Sequence, residues 1–116
     1  MTRIDAPEQA DIAIIGAGCA GLSLARRLAA IEKASGLKAC LHGPVSPAAK
    51  NGHSWGFWAT KDLTEQVGLA RKCWQKWQII TTEQKITQTA NAHPYCRLDS
   101  RDWLNHCLDS IDGHIL

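Results

Sequence analysis

The sequence predicts an α/β fold that begins with a parallel βαβ unit, carries a β-hairpin insert and stops before the domain is complete. Three observations carry this prediction. A run of branched residues at 12–15 is followed by a glycine-rich turn and then by apolar residues at helical spacing. Two strand-like runs, 74–82 and 86–90, flank a short polar turn. The final stretch, 112–116, is typical of a turn and the start of another strand, which we interpret as truncation.

The glycine-rich stretch lies where a dinucleotide-binding loop has to lie, between a strand and a helix. Gly16 permits the tight turn out of the strand, Gly18 leaves the backbone open to a pyrophosphate, and Gly21 lets the helix pack closely on the strand. The helix start then presents N–H groups and a positive dipole to phosphates. The predicted cofactor contacts in this loop are Gly16, Ala17, Gly18, Cys19, Ala20 and Gly21. The motif predicts the N-terminal part of a Rossmann-type FAD/NAD(P)-binding domain over 11–116, after a flexible N-terminus at 1–10; a chance glycine-rich turn is the alternative.

The βαβ unit is completed by a second strand. We expect the helix to end near Gly36, which suits a helix C-cap, and 37–41 to form a strand parallel to the first after a right-handed crossover. Dinucleotide sites usually place Asp or Glu after this strand, where the carboxylate binds the ribose hydroxyls. Here His42 or Gly43 takes that place, and no acidic residue occurs from the start of this strand until Asp62. Either backbone groups and His42 hold the ribose, or the cofactor binds weakly, or binding has been lost; a plain loop-edge histidine is the simpler alternative.

A cluster of aromatic residues follows a turn-rich segment, 43–52, which we expect to be a loop. Three aromatic side chains and a histidine fall within six positions: His53, Trp55, Phe57 and Trp58. One interpretation is that these rings anchor a loop to the core. The other is that they line a wall beside a flat apolar ligand or the cofactor.

The second half of the chain predicts a weak helix over 62–72 and then the hairpin. Trp74 and Trp77 are three positions apart and cannot share one face of a regular strand. We therefore expect one of them to be buried and the other to mark a bend or a strand start. Pro94 ends the hairpin pattern, and 95–98 is expected to be a short extended piece.

A final helix is expected to begin at Asp99 or Ser100, either of which can cap it. Arg97 or Arg101 could approach a phosphate from this region; a solvated arginine is the alternative. The apolar positions of the helix recur at helical spacing and predict a side that faces the core. These positions are Trp103, Leu104, Cys107, Leu108 and Ile111.

The totals limit the class of protein. A chain of 116 residues forms at most one small domain, and a hydrophobic content of 45% is sufficient for a core. The net charge of +2 does not indicate a nucleic-acid-binding protein. The longest nearly apolar run, 12–25, is too short to span a bilayer, and acidic residues precede it where a secretion signal would carry positive charge. We therefore expect a cytoplasmic protein, with peripheral contact to a membrane left open.

The cysteines suggest no disulfide framework. There are five of them, an odd number, and no C-x-x-C occurs, so we expect reduced thiols. Cys40 is close to His42, and His106 is next to Cys107. Neither pair belongs to a four-ligand pattern, and we predict no metal site.

Three of these stretches, in this order, resemble the N-terminal part of the lycopene cyclase family of flavoproteins. The glycine loop, 11–21, is similar to the family's FAD-binding start. The segment NGHSWGFW, 51–58, is similar to the family's Asn-x-His-Thr-Trp-Ser-Phe-Trp segment and is the most specific match. The segment YCRLDSRDW, 95–103, is similar to the stretch that follows the family's β-insert. The resemblance spans nearly the whole chain but only about the first third of a family member.

The resemblance implies FAD as the cofactor, NAD(P)H as a possible reductant, and an apolar carotenoid as the substrate of the full-length parent. It implies closure of the ψ-ends of lycopene to ionone rings without net redox change, in which reduced FAD stabilises the carbocation or delivers the proton. It also implies that His53, Trp55, Phe57 and Trp58 lie near the flavin or the substrate. The family's candidate acid belongs to a later segment, so we assign no catalytic residue and expect the chain alone to be inactive.

Two further hypotheses stay open. The chain could be the matching part of another FAD-dependent oxidoreductase or monooxygenase, against which the 53–58 segment argues. It could also be a degenerate, non-catalytic nucleotide-binding module, which the missing acidic residue after the second strand favours. Neither the carotenoid, the ring type nor the oligomeric state follows from the sequence.

Overall fold

The computed structural model describes residues 9–111, which divide into two units. We call the first, residues 9–51 and 104–111, the glycine-loop unit, and the second, Gly52–Trp103, the aromatic unit. The predicted flexible N-terminus lies outside the described residues up to residue 8, and the predicted final turn and strand start lie outside them entirely. The prediction of one domain from residue 11 onward stays a prediction.

The chain is a mixture of helices and strands, as predicted. The strands are β1 Ile12–Ala17, β2 Ala39–Val45, β3 Ser54–Trp58, β4 Lys72–Trp74, β5 Lys76–Ile80, β6 Lys85–Thr89 and β7 Tyr95–Asp99. The α-helices are α1 Cys19–Ser35, α2 Thr64–Leu69 and α3 Ser100–Ile111, and short 3-10 turns lie at Pro47–Ala49 and Lys61–Leu63.

The glycine-loop unit contains the predicted parallel pair. β1 and β2 run parallel, with Ile12 opposite Ala39, and α1 connects them and packs on both. The helix buries Leu22 and Ala25, whereas the sheet buries Ile14 and leaves the next residue, Ile15, 81% exposed. α1 therefore covers the face of Ile14, and Ile15 lies on the other face, because successive side chains of a strand point to opposite faces.

The loop predicted for 43–52 is wrong at its start. β2 continues through Gly43 and Pro44 to Val45, because the register with β1 shifts after Ile15 and lets Ala17 pair with Val45. Such an irregularity is a place where a strand accepts proline. The predicted helix end is confirmed: Gly36 follows α1 with a φ of +71°, the left-handed conformation that glycine adopts at helix ends.

The aromatic unit is built around a three-stranded antiparallel sheet in the order β3–β7–β4. The segment 53–58, for which an anchored loop was one of two interpretations, is mostly strand β3, because Ser54–Trp58 pairs with β7 along its whole length. The extended piece at 95–98 is confirmed as β7, and the helical prediction for 62–72 is correct only as far as Leu69.

The predicted hairpin is confirmed as the antiparallel pair β5–β6. Its first tryptophan was assigned wrongly, however, since Trp74 belongs to β4 and pairs with β7. The strand is interrupted at Gln75, which forms a bend between β4 and β5. Trp74 and Trp77 therefore do lie on either side of a bend. Neither is buried: Trp74 is 41% exposed and Trp77 is half-buried.

The expectation of five reduced thiols is wrong. Cys73 and Cys96 form a disulfide between β4 and β7, and their Cα atoms are 4.0 Å apart. The two residues are direct cross-strand partners, a relation that only the register of the folded strands reveals. Cys19, Cys40 and Cys107 form no disulfide, and Cys40 and Cys107 are buried.

Candidate functional site

The glycine loop has the backbone geometry that its sequence predicts. Gly16 ends the straight part of β1 with a φ of +105°, which residues with a Cβ rarely adopt. A Cβ added at Gly21 would overlap the carbonyl oxygen of Gly16 and lie 3.4 Å from Cγ2 of Ile14. Only glycine at position 21 thus allows α1 to start this close to the strand, which is the packing role predicted for it.

The start of α1 is open on the side where a ligand would approach. The carbonyl of Gly18 accepts the first helical hydrogen bond, from the N–H of Leu22 at 2.9 Å. A Cβ added at Gly18 would meet no atom within 4 Å, and Cys19 and Ala20 are exposed. The first turn carries no acidic side chain, so no carboxylate of that turn compensates the positive end of the helix.

The end of β2 lies beside the loop. A Cβ built on Gly43 would be 3.3 Å from the backbone nitrogen of Ala17 and 3.4 Å from Cα of Gly16. Gly43 has a φ of +139°, so both its conformation and its neighbours favour glycine. His42 stands just before it, opposite Ile15 in the register, with an exposed side chain. The structure therefore brings the predicted loop residues and the two β2 residues together at the carboxyl edge of the parallel strands.

These residues fit a dinucleotide in one respect and depart from it in another. A pyrophosphate needs a backbone without side chains and a helix start with free positive potential, and Gly18 and the first turn of α1 supply both. The ribose usually needs a carboxylate, and β2 carries none. His42 is the polar side chain of β2 at this edge, and it would take the place of that carboxylate.

In the aromatic unit, the two remaining motifs are partners in one ladder. β3 lies antiparallel to β7, with Trp55 opposite Leu98, Phe57 opposite Cys96 and Trp58 opposite Tyr95. The segments that carried the sequence resemblance, about 40 residues apart in the chain, therefore form one structural element. Sequence reasoning did not join them, because strand pairing at this distance leaves no periodic signal.

The four residues of the aromatic motif divide between the two faces of this sheet. Trp55 and Phe57 are half-buried and share the face of Leu98 and Cys96, which are buried. Trp58 points to the other face and is 46% exposed. The anchoring interpretation therefore holds for Trp55 and Phe57, although on a strand, and the ligand-wall interpretation remains available for Trp58.

Trp58 belongs to a cluster of rings on the exposed face, which we call the aromatic cluster: Trp58, Trp74, Trp77 and Tyr95. The centroid of Trp58 lies 5.1 Å from that of Trp77 and 4.8 Å from that of Tyr95, both edge-to-face. Tyr95 also stacks on Trp74 at 6.5 Å. A Cβ on Gly56 would overlap the Tyr95 hydroxyl, so glycine at that position makes room for the ring. The result is an apolar surface with defined ring geometry.

Four charged residues lie at the opposite end of the β3–β7 ladder, and we call them the charged cluster: Arg71, Asp99, Arg101 and Asp102. The guanidinium of Arg101 donates two hydrogen bonds to Asp99, from Nε to Oδ1 and from Nη2 to Oδ2, both at 3.0 Å. The backbone N–H of Arg101 also donates to Oδ1, at 2.9 Å. Arg71 binds Asp102 at 2.9 Å and reaches Asp99 at 3.5 Å. Asp99 thus caps α3, as predicted, and the exposed side chain of Arg101 forms an ion pair with it. The contact of Arg101 with a phosphate stays a prediction.

The charges of this cluster shift the pKa of Asp99. The hydrogen bond from the Arg101 side chain, helped by its backbone N–H and by the charges of Arg101 and Arg71 and opposed by burial, lowers the pKa of Asp99 from 3.8 to about 2. Hydrogen bonding to Asp102 raises the pKa of Arg71, and hydrogen bonding to Asp99 raises that of Arg101. Asp99, Arg71 and Arg101 are therefore ionised at neutral pH, and their ion pairs fix the start of α3.

His53 and Arg97 are held in the same region by serine side chains. The N–H of His53 donates to Oγ of Ser100 at 2.9 Å, and its carbonyl accepts from the N–H of Ser100 at the same distance. Nε of Arg97 donates to Oγ of Ser54 at 3.0 Å, and the contact of this arginine with a phosphate stays a prediction too. The imidazole of His53 is exposed, and its backbone is what the fold uses.

The structure adds residues that sequence reasoning missed. Tyr95 and Trp77 complete the aromatic cluster, and Arg71 and Asp102 complete the charged cluster. Trp77 was recognised only as an unusual strand residue, and the sequence around Arg71 carries no motif. Within residues 9–111, no three His, Cys, Asp or Glu side chains are grouped in a way that could hold a metal ion. None of the helices in that range combines the length and apolar character needed to cross a membrane.

Comparison with known proteins agrees with the resemblance noted from the motifs. No curated protein sequence matches the chain. The model of one protein family, described as Lycopene cyclase protein, matches residues 11–111. The match includes the glycine loop, β3 and the β7–α3 segment, and it covers most of the 116 residues. The chain therefore belongs to the lycopene cyclase family.

Proposed function

We propose that the glycine-loop unit is the start of a Rossmann-type domain that binds FAD, and that the chain is the N-terminal portion of a carotenoid cyclase. The observation that carries the proposal is the joint geometry of Gly18 and Gly21: one leaves space for a pyrophosphate, and the other leaves no space for any side chain between loop and helix. Membership of the lycopene cyclase family, which is generally flavin-dependent, supports flavin rather than another dinucleotide.

The chain's own residues would divide the work of holding the cofactor. The backbone at Gly18 and the first N–H groups of α1 would bind the pyrophosphate, since no acidic side chain of that turn opposes its charge. His42 would contact the ribose, and Gly43 would allow the close approach of β2 to the loop. When bound and reduced, with NAD(P)H as the reductant, the flavin would supply the proton that turns the polyene into a cation, or the electron density that stabilises that cation.

The reaction that this family membership supports is closure of the ψ-ends of lycopene to ionone rings with no net redox change. We propose that Trp58, with the rest of the aromatic cluster, contacts the apolar carotenoid, because flat rings bury an apolar chain and their faces stabilise a nearby cation. Trp55 and Phe57 support the strand from its other face. We assign no general acid to the described residues, and we propose that the complete parent enzyme supplies it.

A flavin titration tests the cofactor proposal. We expect the purified chain to quench FAD fluorescence saturably. Gly18→Val should abolish this binding without disturbing the fold, because the position faces open space. Gly68→Val is the matched control: Gly68 also has no atom within 4 Å of an added Cβ but lies in α2 of the aromatic unit. Equal binding by both variants, or no binding by a folded wild-type chain, would contradict the proposal.

The carotenoid proposal is tested by quenching of tryptophan fluorescence with lycopene in detergent micelles. Trp58→Leu should weaken the apparent affinity roughly tenfold, since about 1–1.5 kcal/mol is typical of one aromatic contact. Ile80→Ala serves as a control, because Ile80 is 68% exposed and lies on the face of the hairpin opposite to Trp77. Loss of quenching in the control as well would show that lycopene adsorbs non-specifically.

A degenerate, non-catalytic nucleotide-binding module is the second candidate, favoured by one observation. β2 ends in His42 and Gly43 where a working site usually has a carboxylate. His42→Asp distinguishes the two candidates. If the wild-type chain does not bind FAD and His42→Asp gains binding, the site has degenerated; if His42→Ala weakens existing binding, the histidine is a working ribose contact.

Peripheral contact with a membrane is a further proposal, and the hairpin β5–β6 supports it. Ile79, Ile80 and Ile86 are 52%, 68% and 45% exposed. Exposed apolar side chains are what the headgroup region of a bilayer accepts. The proposal predicts co-sedimentation with phospholipid vesicles that Ile79→Ser with Ile86→Ser reduces; retention of full binding by that double variant would refute it.

A further inference from the structure

The disulfide lies next to the aromatic cluster in the β4–β7 register. Cys73 and Cys96 face each other across β4 and β7, and the next pair in the register is Trp74 opposite Tyr95. Those two rings stack at 6.5 Å. The covalent bond therefore holds together the two backbones that carry half of the aromatic cluster.

The hold of β4 on the sheet depends strongly on this bond. β4 has only three residues, and all of them are exposed. At its start, the N–H of Arg71 donates to the carbonyl of Arg97 at 2.9 Å, and the Arg71 side chain is paired with Asp102. At its other end, the chain leaves for the hairpin β5–β6, and the disulfide closes the loop that contains the whole hairpin. Cys73 thus ties β4, from which the hairpin begins and which we call the root of the hairpin, to β7.

The two cysteines differ in burial, which favours attack on the bond from the side of Cys73. Cys96 is fully buried in β7, whereas Cys73 is exposed. Of the remaining cysteines, Cys40 and Cys107 are buried and Cys19 is exposed in the glycine-loop unit. A reductant therefore meets the disulfide at Cys73, since thiol–disulfide exchange requires access to a sulfur atom.

We propose that Cys73–Cys96 is a reversible thiol–disulfide exchange site for a dithiol reductant, and that its reduction releases β4, the root of the hairpin, from β7. A thiolate of the dithiol attacks Sγ of Cys73, the bond between the cysteines breaks, and Cys96 leaves as a thiolate that takes up a proton. The second thiol of the reductant then attacks the mixed disulfide and frees Cys73. Two electrons reach the cysteine pair, and the reductant leaves as its own disulfide.

The inference does not depend on flavin or carotenoid binding, and its test uses the full chain with dithiothreitol as the dithiol. After denaturation and alkylation, protein purified without reductant should show three free thiols, and reduced protein five. Limited trypsin digestion of the native protein should cut at Lys72 and Lys76 roughly tenfold faster after reduction, because local opening exposes the backbone. The near-ultraviolet circular dichroism of the rings should fall in parallel.

Two variants separate this site from the other cysteines. Cys73→Ser with Cys96→Ser should be cut at the fast rate with or without dithiothreitol, and Cys19→Ser should respond to the reductant as the wild type does. The wild type compared with and without reductant decides the question if the double variant does not fold. Five free thiols before reduction, unchanged cleavage after it, or a response that persists in the double variant would each overturn the proposal.

Discussion

The glycine-loop unit and the aromatic unit build their candidate sites in different ways. In the glycine-loop unit, consecutive elements β1, α1 and β2 meet, and the site is made mainly of backbone. In the aromatic unit, side chains from strands far apart in the sequence meet, as in Trp58 beside Tyr95 and Cys73 bonded to Cys96. The comparison shows that the first site is specified by which residues have no side chain, and the second by strand register.

Gly21→Ala should have the largest effect on stability of the variants considered, because it tests the packing role of glycine in the glycine-loop unit. The new Cβ would overlap the carbonyl of Gly16, so loop and helix must separate. We expect the free energy of unfolding to fall by about 3 kcal/mol, at the upper end for overpacking, and FAD binding to be lost. Gly18→Ala, with open space around it, should change stability by less than about 0.5 kcal/mol. Chemical denaturation of both variants measures the difference, and equal stabilities would contradict the packing role.

Loss of the disulfide should have an effect nearly as large, but in the aromatic unit. Cys73→Ser with Cys96→Ser removes a bond between residues 23 positions apart, which in the chain-entropy description stabilises by about 3 kcal/mol. Unfolding followed by tryptophan fluorescence should show this loss under oxidising conditions. The same double substitution should leave stability unchanged when the wild type is measured in excess reductant. A persistent difference there would mean that the serines, rather than the missing bond, destabilise the sheet.

The two units also differ in how much of them could be predicted from the sequence. β1, α1, the parallel pairing and the roles of Gly16 and Gly21 follow from a motif and a helical period, which are local signals. The continuation of β2 past Gly43 could not be predicted, because it depends on a register shift against β1.

In the aromatic unit, the hairpin, β7 and the Asp99 cap were predictable for the same local reason, as was the buried side of α3, most of which belongs to the glycine-loop unit. The pairing of β3 with β7, the disulfide and the Arg71–Asp102 pair were not. Each of them joins residues more than 20 positions apart, and hydrophobic periodicity carries no information on such partners. The orientation of Trp58 away from Trp55 and Phe57 follows only once β3 is known to be a strand.

Gly56→Ala should lower the stability of the aromatic unit by less than Gly21→Ala lowers that of the glycine-loop unit. Its Cβ would collide with the Tyr95 hydroxyl, but that atom is the far end of a ring that can move. We therefore expect a loss of about 1 kcal/mol, at the lower end for overpacking, together with a changed near-ultraviolet circular dichroism of the aromatic cluster. Because a side chain yields where a backbone cannot, the loss should stay well below that of Gly21→Ala. The reverse order would mean that the aromatic cluster is the more rigid of the two sites.

The charged cluster predicts that the folded chain loses stability in acid, below about pH 4, and not near neutral pH. The pKa of Asp99 is about 2 in the folded chain against an ordinary 3.8, so its ionised form is favoured by folding. The stabilisation is fully present above about pH 4 and is lost as the pH falls towards 2. Thermal melts between pH 2 and 5 should show a decline in the wild type that is reduced in Asp99→Asn, a variant that keeps a good helix cap. An identical decline in both would assign the acid sensitivity to other carboxylates.

The most direct test of the central claim, a flavin site at the glycine loop, is to follow the backbone amide resonances of the glycines while FAD is added. The account predicts that the amides of Gly16, Gly18 and Gly43 shift saturably, and that those of Gly56 and Gly68 in the aromatic unit do not. No shift at any of the loop glycines in folded protein, or shifts confined to the aromatic unit, would contradict it.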